Sequence, residues 1–337
     1  MSVPIIDMSK VKDERKEMAA KIVKALETSG FLYLDNVPGL DHKKLFETCK
    51  WFFSQPWEFK EKLQRNAWSP ENKNYFRGYF PVVAKEPSRK EGFEIGRDVD
   101  RNDPSVRPEN WFYEPNVWPE GQEEFKSYMK QNYEVMHETA MEMLRLIAIG
   151  LGLEEDAMVY LFAKKPCSTF RIMHYPPWDG KPPENALIED GKVLTTPDHS
   201  DSNFITLLIN FNYVGLERLS PEGQWVAVPP RPGSLIMNIG DLLDRMTGNR
   251  FKATRHRVID IGVDRYSIPF FLEPEFEADV GRNFLAEAGK DHVIESYGRY
   301  MIHVTKYVRK YFEFKVLPDF LNVKDSLKDK EAQEASI

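Results

Sequence analysis

Apolar and polar positions change rhythm near residue 163. Before it, Met18, Ala19, Ile22, Val23, Ala25 and Leu26 recur at helical spacing within residues 12–29, and Gly30 is placed to close that helix. Residues 3–7 and Phe31-Leu-Tyr-Leu34 read as flanking strands. A second helix starts at Asp41, sets Leu45, Cys49 and Phe52 or Phe53 on one face, and stops before Pro56. Residues 66–120 are loop-rich, with short extended pieces at 74–80 and 91–95. A segment of that length is either lid-like or a surface excursion. From 122 to 151, Phe125, Met129, Met136, Ala140, Met143, Leu144 and Ile147 form one broad face of a long amphipathic helix. Its methionines read as core, and Gly150 and Gly152 end it.

Beyond Ala163, short runs of Val, Ile, Phe, Tyr and Thr recur between turn signals, at 167–175, 203–213, 224–229, 234–239, 256–261 and 266–272. Such spacing predicts a sandwich or jelly roll rather than alternating βαβ units. No Gly-x-Gly-x-x-Gly or Walker-type loop points to a nucleotide fold. A last helix is expected over 291–314, through Val293, Tyr297, Tyr300, Val304, Tyr307 and Tyr311, and a frayed polar tail from Ser326. The chain thus divides into a leader (1–120), a helix-plus-strand core (121–315) and an extension (316–337).

Composition narrows the partners. The 337 residues carry a formal net charge of -7, which disfavours nucleic acid as a partner. Aromatics at 13% suit a thick core or an aromatic-lined pocket. Cys49 and Cys167 form no Cys-x-x-Cys pair, which excludes a zinc ribbon or thioredoxin-type site. No stretch approaches ~18 apolar residues, so the expectation is no membrane span, a cytoplasmic location and a monomer.

His199 and Asp201 are i and i+2, so in an extended segment both side chains point to one side. His256, opening a later strand, would complete a set of two imidazoles and one carboxylate, which leaves coordination positions open and suits non-haem Fe(II) oxygen chemistry. Arg265 and Ser267 repeat the i, i+2 spacing, and a guanidinium fork with a hydroxyl can grip a carboxylate. Residues 261–264 are expected to fold the flanking strands into a hairpin.

With these residues in view, the chain resembles the 2-oxoglutarate and Fe(II)-dependent dioxygenase superfamily, in the branch of isopenicillin N synthase. The resemblance rests on His199-x-Asp201, Thr206-Leu-Leu, Gly215-Leu, Trp225-Val-Ala-Val-Pro229-Pro, Asn238-Ile-Gly240-Asp241, His256-Arg-Val and Arg265-x-Ser267. In the leader it rests on Val3-Pro-Ile-Ile-Asp7, Gly30-Phe31, Arg77-Gly-Tyr79 and Asn116-Val-Trp118-Pro119. It implies a double-stranded β-helix core in which His199, Asp201 and His256 bind iron. Arg265 and Ser267, helped by Tyr175, would bind the distal carboxylate of 2-oxoglutarate. It further implies O2 as second cosubstrate, ascorbate as an aid in vitro, and hydrogen-atom removal from a small molecule leading to hydroxylation, desaturation or ring closure. Succinate and carbon dioxide would be the co-products. If Tyr175 faces the site, His174 faces away.

Met173 stands where many 2-oxoglutarate users have asparagine. Members that use no 2-oxoglutarate keep the Arg-x-Ser pair, so an O2-dependent oxidase or cyclase of the isopenicillin N synthase type is the alternative. A zinc hydrolase would need a general base that no His-Glu-x-x-His segment supplies, and a non-catalytic jelly-roll binding protein is a further reading. Arg77, Tyr79, Phe93 and Phe271 are expected around the substrate. Contact with Arg77 would imply a carboxylate-bearing one.

Overall fold

The computed structural model describes residues 3–83, 88–107, 110–178, 180–286 and 292–308. The leader supplies β1 (Ile5–Asp7), α1 (Arg15–Thr28), β2 (Phe31–Asp35), α2 (His42–Phe53), α3 (Trp57–Lys60), β3 (Gly78–Phe80) and β4 (Glu91–Ile95). The long helix α4 (Glu123–Gly150) leads to β5 (Thr169–Tyr175), β6 (Leu187–Glu189), β7 (Lys192–His199) and β8 (Ile205–Ile209). Then come β9 (Leu216–Leu219), β10 (Trp225–Ala227), β11 (Leu235–Ile239), α5 (Asp241–Met246), β12 (His256–Ile259), β13 (Arg265–Leu272) and α6 (Tyr297–Val308). The expected helix positions beyond 308, the tail from Ser326 and the extension 316–337 lie outside the described residues.

Two sheets face each other as a double-stranded β-helix, or jelly roll. The larger runs β1-β2-β11-β8-β13-β5-β4-β3, and the smaller runs β10-β9-β12-β7-β6. Leader strands therefore extend the same sheet as the core strands at both of its edges. The larger sheet is two-faced because its side chains alternate. Ile205, Leu207 and Ile209 on β8, Leu235, Met237 and Ile239 on β11, and Ile268, Phe270 and Leu272 on β13 enter one core cluster. Met18, Ile22 and Leu26 of α1 and Met136, Met143 and Ile147 of α4 pack in that same cluster. The alternate residues, Thr206, Leu208, Asn238, Arg265, Ser267 and Phe271, turn toward the smaller sheet and line a cavity.

Helix ends follow local chemistry. Asp41 caps α2 by accepting the Lys44 N–H at 2.9 Å. After α1, Gly30 adopts φ +65°, and a Cβ there would meet Thr254 Oγ1 at 1.7 Å, so the turn into β2 needs glycine.

The expected 261–264 hairpin does not form. β12 pairs with β7 and β9 in the smaller sheet, whereas β13 pairs with β5 and β8 in the larger one. Residues 260–264 carry the chain between sheets, so His256 and Arg265 face one another across the cavity instead of along one ladder.

Candidate active site

The smaller sheet delivers both histidines. His199 ends β7 and pairs directly with His256 at the start of β12. The next paired rung, Thr196 with Val258, leaves one extra residue in β7, a bulge that contains Pro197. The Pro197 carbonyl accepts the His199 Nδ1–H at 2.8 Å, and the Thr254 carbonyl accepts that of His256 at 3.1 Å. Both imidazoles are thereby fixed with the Nε2 lone pair free, the arrangement a metal-bound histidine uses.

Asp201 lies two residues beyond the end of β7, not on the strand itself. Its Oδ2 accepts hydrogen bonds from Thr206 Oγ1 at 2.6 Å and Asn238 Nδ2 at 2.8 Å. Oδ1 is turned to the histidines, 3.6 Å from His199 Nε2 and 3.7 Å from His256 Nε2. One ligand atom from each of the three residues lies within 4.8 Å of the others. Burial works against the Asp201 carboxylate. The His256 and His199 rings and the bonds from Thr206 and Asn238 together outweigh it and hold the group below the usual carboxylate range. Burial, then the neighbouring His256, lowers the basicity of His199. Two imidazoles and one carboxylate, each with a single free donor atom turned inward, fit a ferrous ion with sites left for other ligands.

Across the cavity, Arg265 pairs with Tyr175 and Ser267 with Met173 on β5. The Arg265 guanidinium carbon lies 3.9 Å from the centre of the Tyr175 ring. Burial opposes ionisation of that phenol, but Arg265 and further cations outweigh it and bring its pKa down. Gly215, at φ +115°, holds its backbone under Arg265: a Cβ there would meet Ile259 O at 2.8 Å and Arg265 Nη1 at 3.4 Å. Arg265, Ser267 and Tyr175 line the same cavity as the histidines, which has a volume of about 140 Å³.

His174 points the other way, as strand parity requires. Its ring stacks on Tyr266 at 4.8 Å, and its nitrogens meet Glu91 Oε1 at 2.7 Å and Asp264 Oδ1 at 2.6 Å. Phe271 lines the cavity. The other three residues expected around the substrate do not. Arg77 is buried, and its Nη groups donate to the carbonyls of Phe112 at 2.7 Å, Cys167 at 3.0 Å, Ser168 at 3.1 Å and Ile95 at 3.2 Å, and to Thr169 Oγ1 at 2.8 Å. It pins the leader to the start of β5, because loop carbonyls there need donors. Tyr79 donates to Glu91, and Phe93 packs against Phe52 at 4.9 Å.

Thr206 and Asn238 hold the carboxylate without having been marked as site residues by their spacing. Their signal is visible all the same: a hydroxyl and an amide on the inner face of strands that are otherwise apolar. Lys90 and Arg171 also line the cavity; Arg171 opens the run Arg171-Ile-Met173-His174-Tyr175, whereas no pattern along the chain marks Lys90.

This chain belongs to the 2-oxoglutarate and Fe(II)-dependent oxygenases. Residues 166–274 match the 2OG-Fe(II) oxygenase superfamily, and residues 3–121 match the N-terminal region described for a non-haem dioxygenase in morphine synthesis. A 2-oxoglutarate-Fe(II) type oxidoreductase of Aspergillus fumigatus is 32% identical over 84% of this chain and 86% of its own length. Isopenicillin N synthase of Streptomyces griseus is 28% identical over 80% of this chain and 84% of its own. Among solved structures, a full-length Neurospora crassa protein in complex with alpha-KG and thymine superposes with a TM-score of 0.74, at 26% identity, covering 92% of this chain and 97% of that one. The protein is accordingly an enzyme, an oxidoreductase whose cofactors are Fe(II), 2-oxoglutarate and O2.

Proposed function

We propose that His199, Asp201 and His256 hold the iron, and that Arg265, Ser267 and Tyr175 hold the distal carboxylate of 2-oxoglutarate. A ferrous ion bound there supplies the activation of O2 coupled to oxidative decarboxylation of the 2-oxo acid. The chain's own residues do the positioning. Thr206 and Asn238 keep one carboxylate oxygen of Asp201 occupied so that the other faces the ion, and the Pro197 and Thr254 carbonyls set the two imidazole tautomers. Arg265 presents a fork of donors that matches a carboxylate, and Ser267 adds a hydroxyl two residues along the same face. Met173 contributes its thioether where an amide stands in many relatives, so the grip on the cosubstrate rests more heavily on the Arg265 end.

The observation that carries this reading is the joint placement of three free ligand atoms and the Arg265–Tyr175 pair in one cavity. The product is an oxidised small molecule, by hydroxylation, desaturation or ring closure, formed by a monomer in the cytosol. Anaerobic titration with Fe(II), followed by 2-oxoglutarate, tests the assignment. Wild type should take up one iron and then one keto acid. His256→Ala should lose the first event, and Arg265→Gln should weaken only the second. Iron uptake that survives replacement of each ligand would overturn the metal assignment. Release of a product without succinate would favour the isopenicillin N synthase type of reaction.

A further inference from the structure

The two histidines are not held equally by their strands. β12 is flanked on both sides, and its register with β9 is unbroken, setting His256 against Arg218, Arg257 against Glu217 and Val258 against Leu216. The Leu219 N–H carries that ladder one residue further, to the Arg255 carbonyl at 2.8 Å. His199 closes a weaker strand. β6 pairs with β7 only as far as Leu194, so beyond it β12 is the one neighbouring strand among the described residues. The β7–β12 register shifts at both of its steps, and Pro197 has no N–H to give to the ladder. Local opening is easiest where backbone hydrogen bonds are few. Backbone pairing alone therefore fixes His256 firmly and His199 loosely.

A side-chain fork spans this weak point. Asp198 directly precedes His199, and Arg255 directly precedes His256. Arg255 Nε donates to the two carboxylate oxygens of Asp198 at 2.8 and 2.9 Å, and Nη2 donates to Oδ2 at 2.7 Å. Both residues lie outside the cavity lining. Their side chains are 52% and 29% exposed for Arg255 and Asp198, and an ion pair at such exposure contributes little to overall stability. A bidentate guanidinium nevertheless sets direction as well as distance. Here it ties together the residues beside two imidazoles whose ring centres lie 4.3 Å apart.

We propose that Asp198 and Arg255 are positioning residues, a clip that sets the spacing of His199 and His256 before a metal ion arrives. This rests on the assignment of those histidines as iron ligands and deepens it. Without the clip, fewer chains hold both rings in register at any moment, and the apparent Kd for Fe(II) rises as that fraction falls.

Anaerobic Fe(II) titration of the full chain tests the clip, using Asp198→Asn, Arg255→Gln and the double variant. Each single change should weaken Fe(II) binding about fivefold, the upper end for an exposed pair. The double variant should be no worse than either, because one fork is lost only once. Arg255→Lys should recover part of the affinity, since it restores the charge without the fork. Coulomb's law alone predicts a different outcome: loss of a cation beside the site would tighten binding, and loss of an anion would loosen it. Arg231 makes a similar fork to Asp35, at 2.6 to 3.2 Å, and Arg231→Gln should leave iron affinity at the wild-type value. Urea midpoints of the Asp198 and Arg255 variants should stay close to wild type. Unchanged affinity in both single variants, shifts of opposite sign, or losses that add in the double variant would each overturn the proposal. So would an equal loss in Arg231→Gln, or a loss matched by a lowered urea midpoint. Iron uptake that survives His256→Ala would instead remove the metal assignment on which the clip depends.

Discussion

Asp201 divides its carboxylate between two jobs. Oδ2 is consumed by Thr206 and Asn238, and Oδ1 is turned to the histidines. Partners of this kind typically contribute 10–100-fold to metal affinity, so Thr206→Val and Asn238→Ala should each weaken Fe(II) binding by about that factor, read by anaerobic titration. Unchanged affinity in both would show that the carboxylate needs no such support. At the other end of the cavity, Arg265→Gln should raise the KM for 2-oxoglutarate about 10–100-fold, the loss expected for one charged hydrogen-bond pair. Initial rates of succinate release at varied 2-oxoglutarate measure it. Arg77 teaches the converse lesson. A cation in a loop-rich, aromatic stretch resembles a substrate anchor, yet the carbonyls that claim it come from residues 95, 112, 167 and 168. No local pattern announces so dispersed a set of acceptors.

At the scale of elements, periodicity carries what it can. α1, α2 and α4 are legible because their apolar stripes are long and their ends are marked, and β5, β11 and β13 because Ile, Phe and Leu recur in them. β7 escapes the pattern: Lys192-Val-Leu-Thr-Thr-Pro-Asp-His mixes polar residues with a proline, and its bulge breaks the alternation. β9 escapes it too, since Leu-Glu-Arg-Leu looks solvated. Glu217 is nonetheless buried, held by Arg257 at 2.9 Å and by Lys192. The link between β12 and β13 misleads because its length suits a hairpin as well as a crossing between sheets. Two variants probe the elements themselves. Asp41→Ala removes the cap of α2 and should cost about 1 kcal/mol in urea unfolding. Gly215→Ala combines an unfavourable φ with a contact at 2.8 Å to Ile259 O. It should lower stability and weaken 2-oxoglutarate binding together, because the same backbone supports Arg265.

Across the whole molecule, the proposed metal ligands bridge the two sheets: two come from the smaller sheet, and the third is tied to the larger one through Thr206 and Asn238. Iron should therefore stabilise the fold, by about 2.7 kcal/mol at a free concentration of about 100 times its Kd, and Asp201→Ala should show no such gain on thermal unfolding. On the outer side of the same strands, His174 joins Glu91 of β4 to Asp264. Burial disfavours its charge, but the two carboxylates prevail and raise its pKa above 6.5. A raised folded-state pKa contributes stability that is fully present below the unfolded value and is lost as pH rises through the folded one. The stability advantage of wild type over His174→Gln should thus be greatest below a pH of about 6.5 and shrink above it, as denaturant midpoints at several pH values would show.

The ladder of β13 also acts as a ruler with coarse graduations. Side chains reach the cavity only at every second residue, a step of about 6.6 Å, far more than one added methylene. Moving the arginine from 265 to 267 would therefore overshoot any keto acid one carbon shorter. Adjustment of cosubstrate length is left to the reach of the side chain at 265, not to its place along the strand.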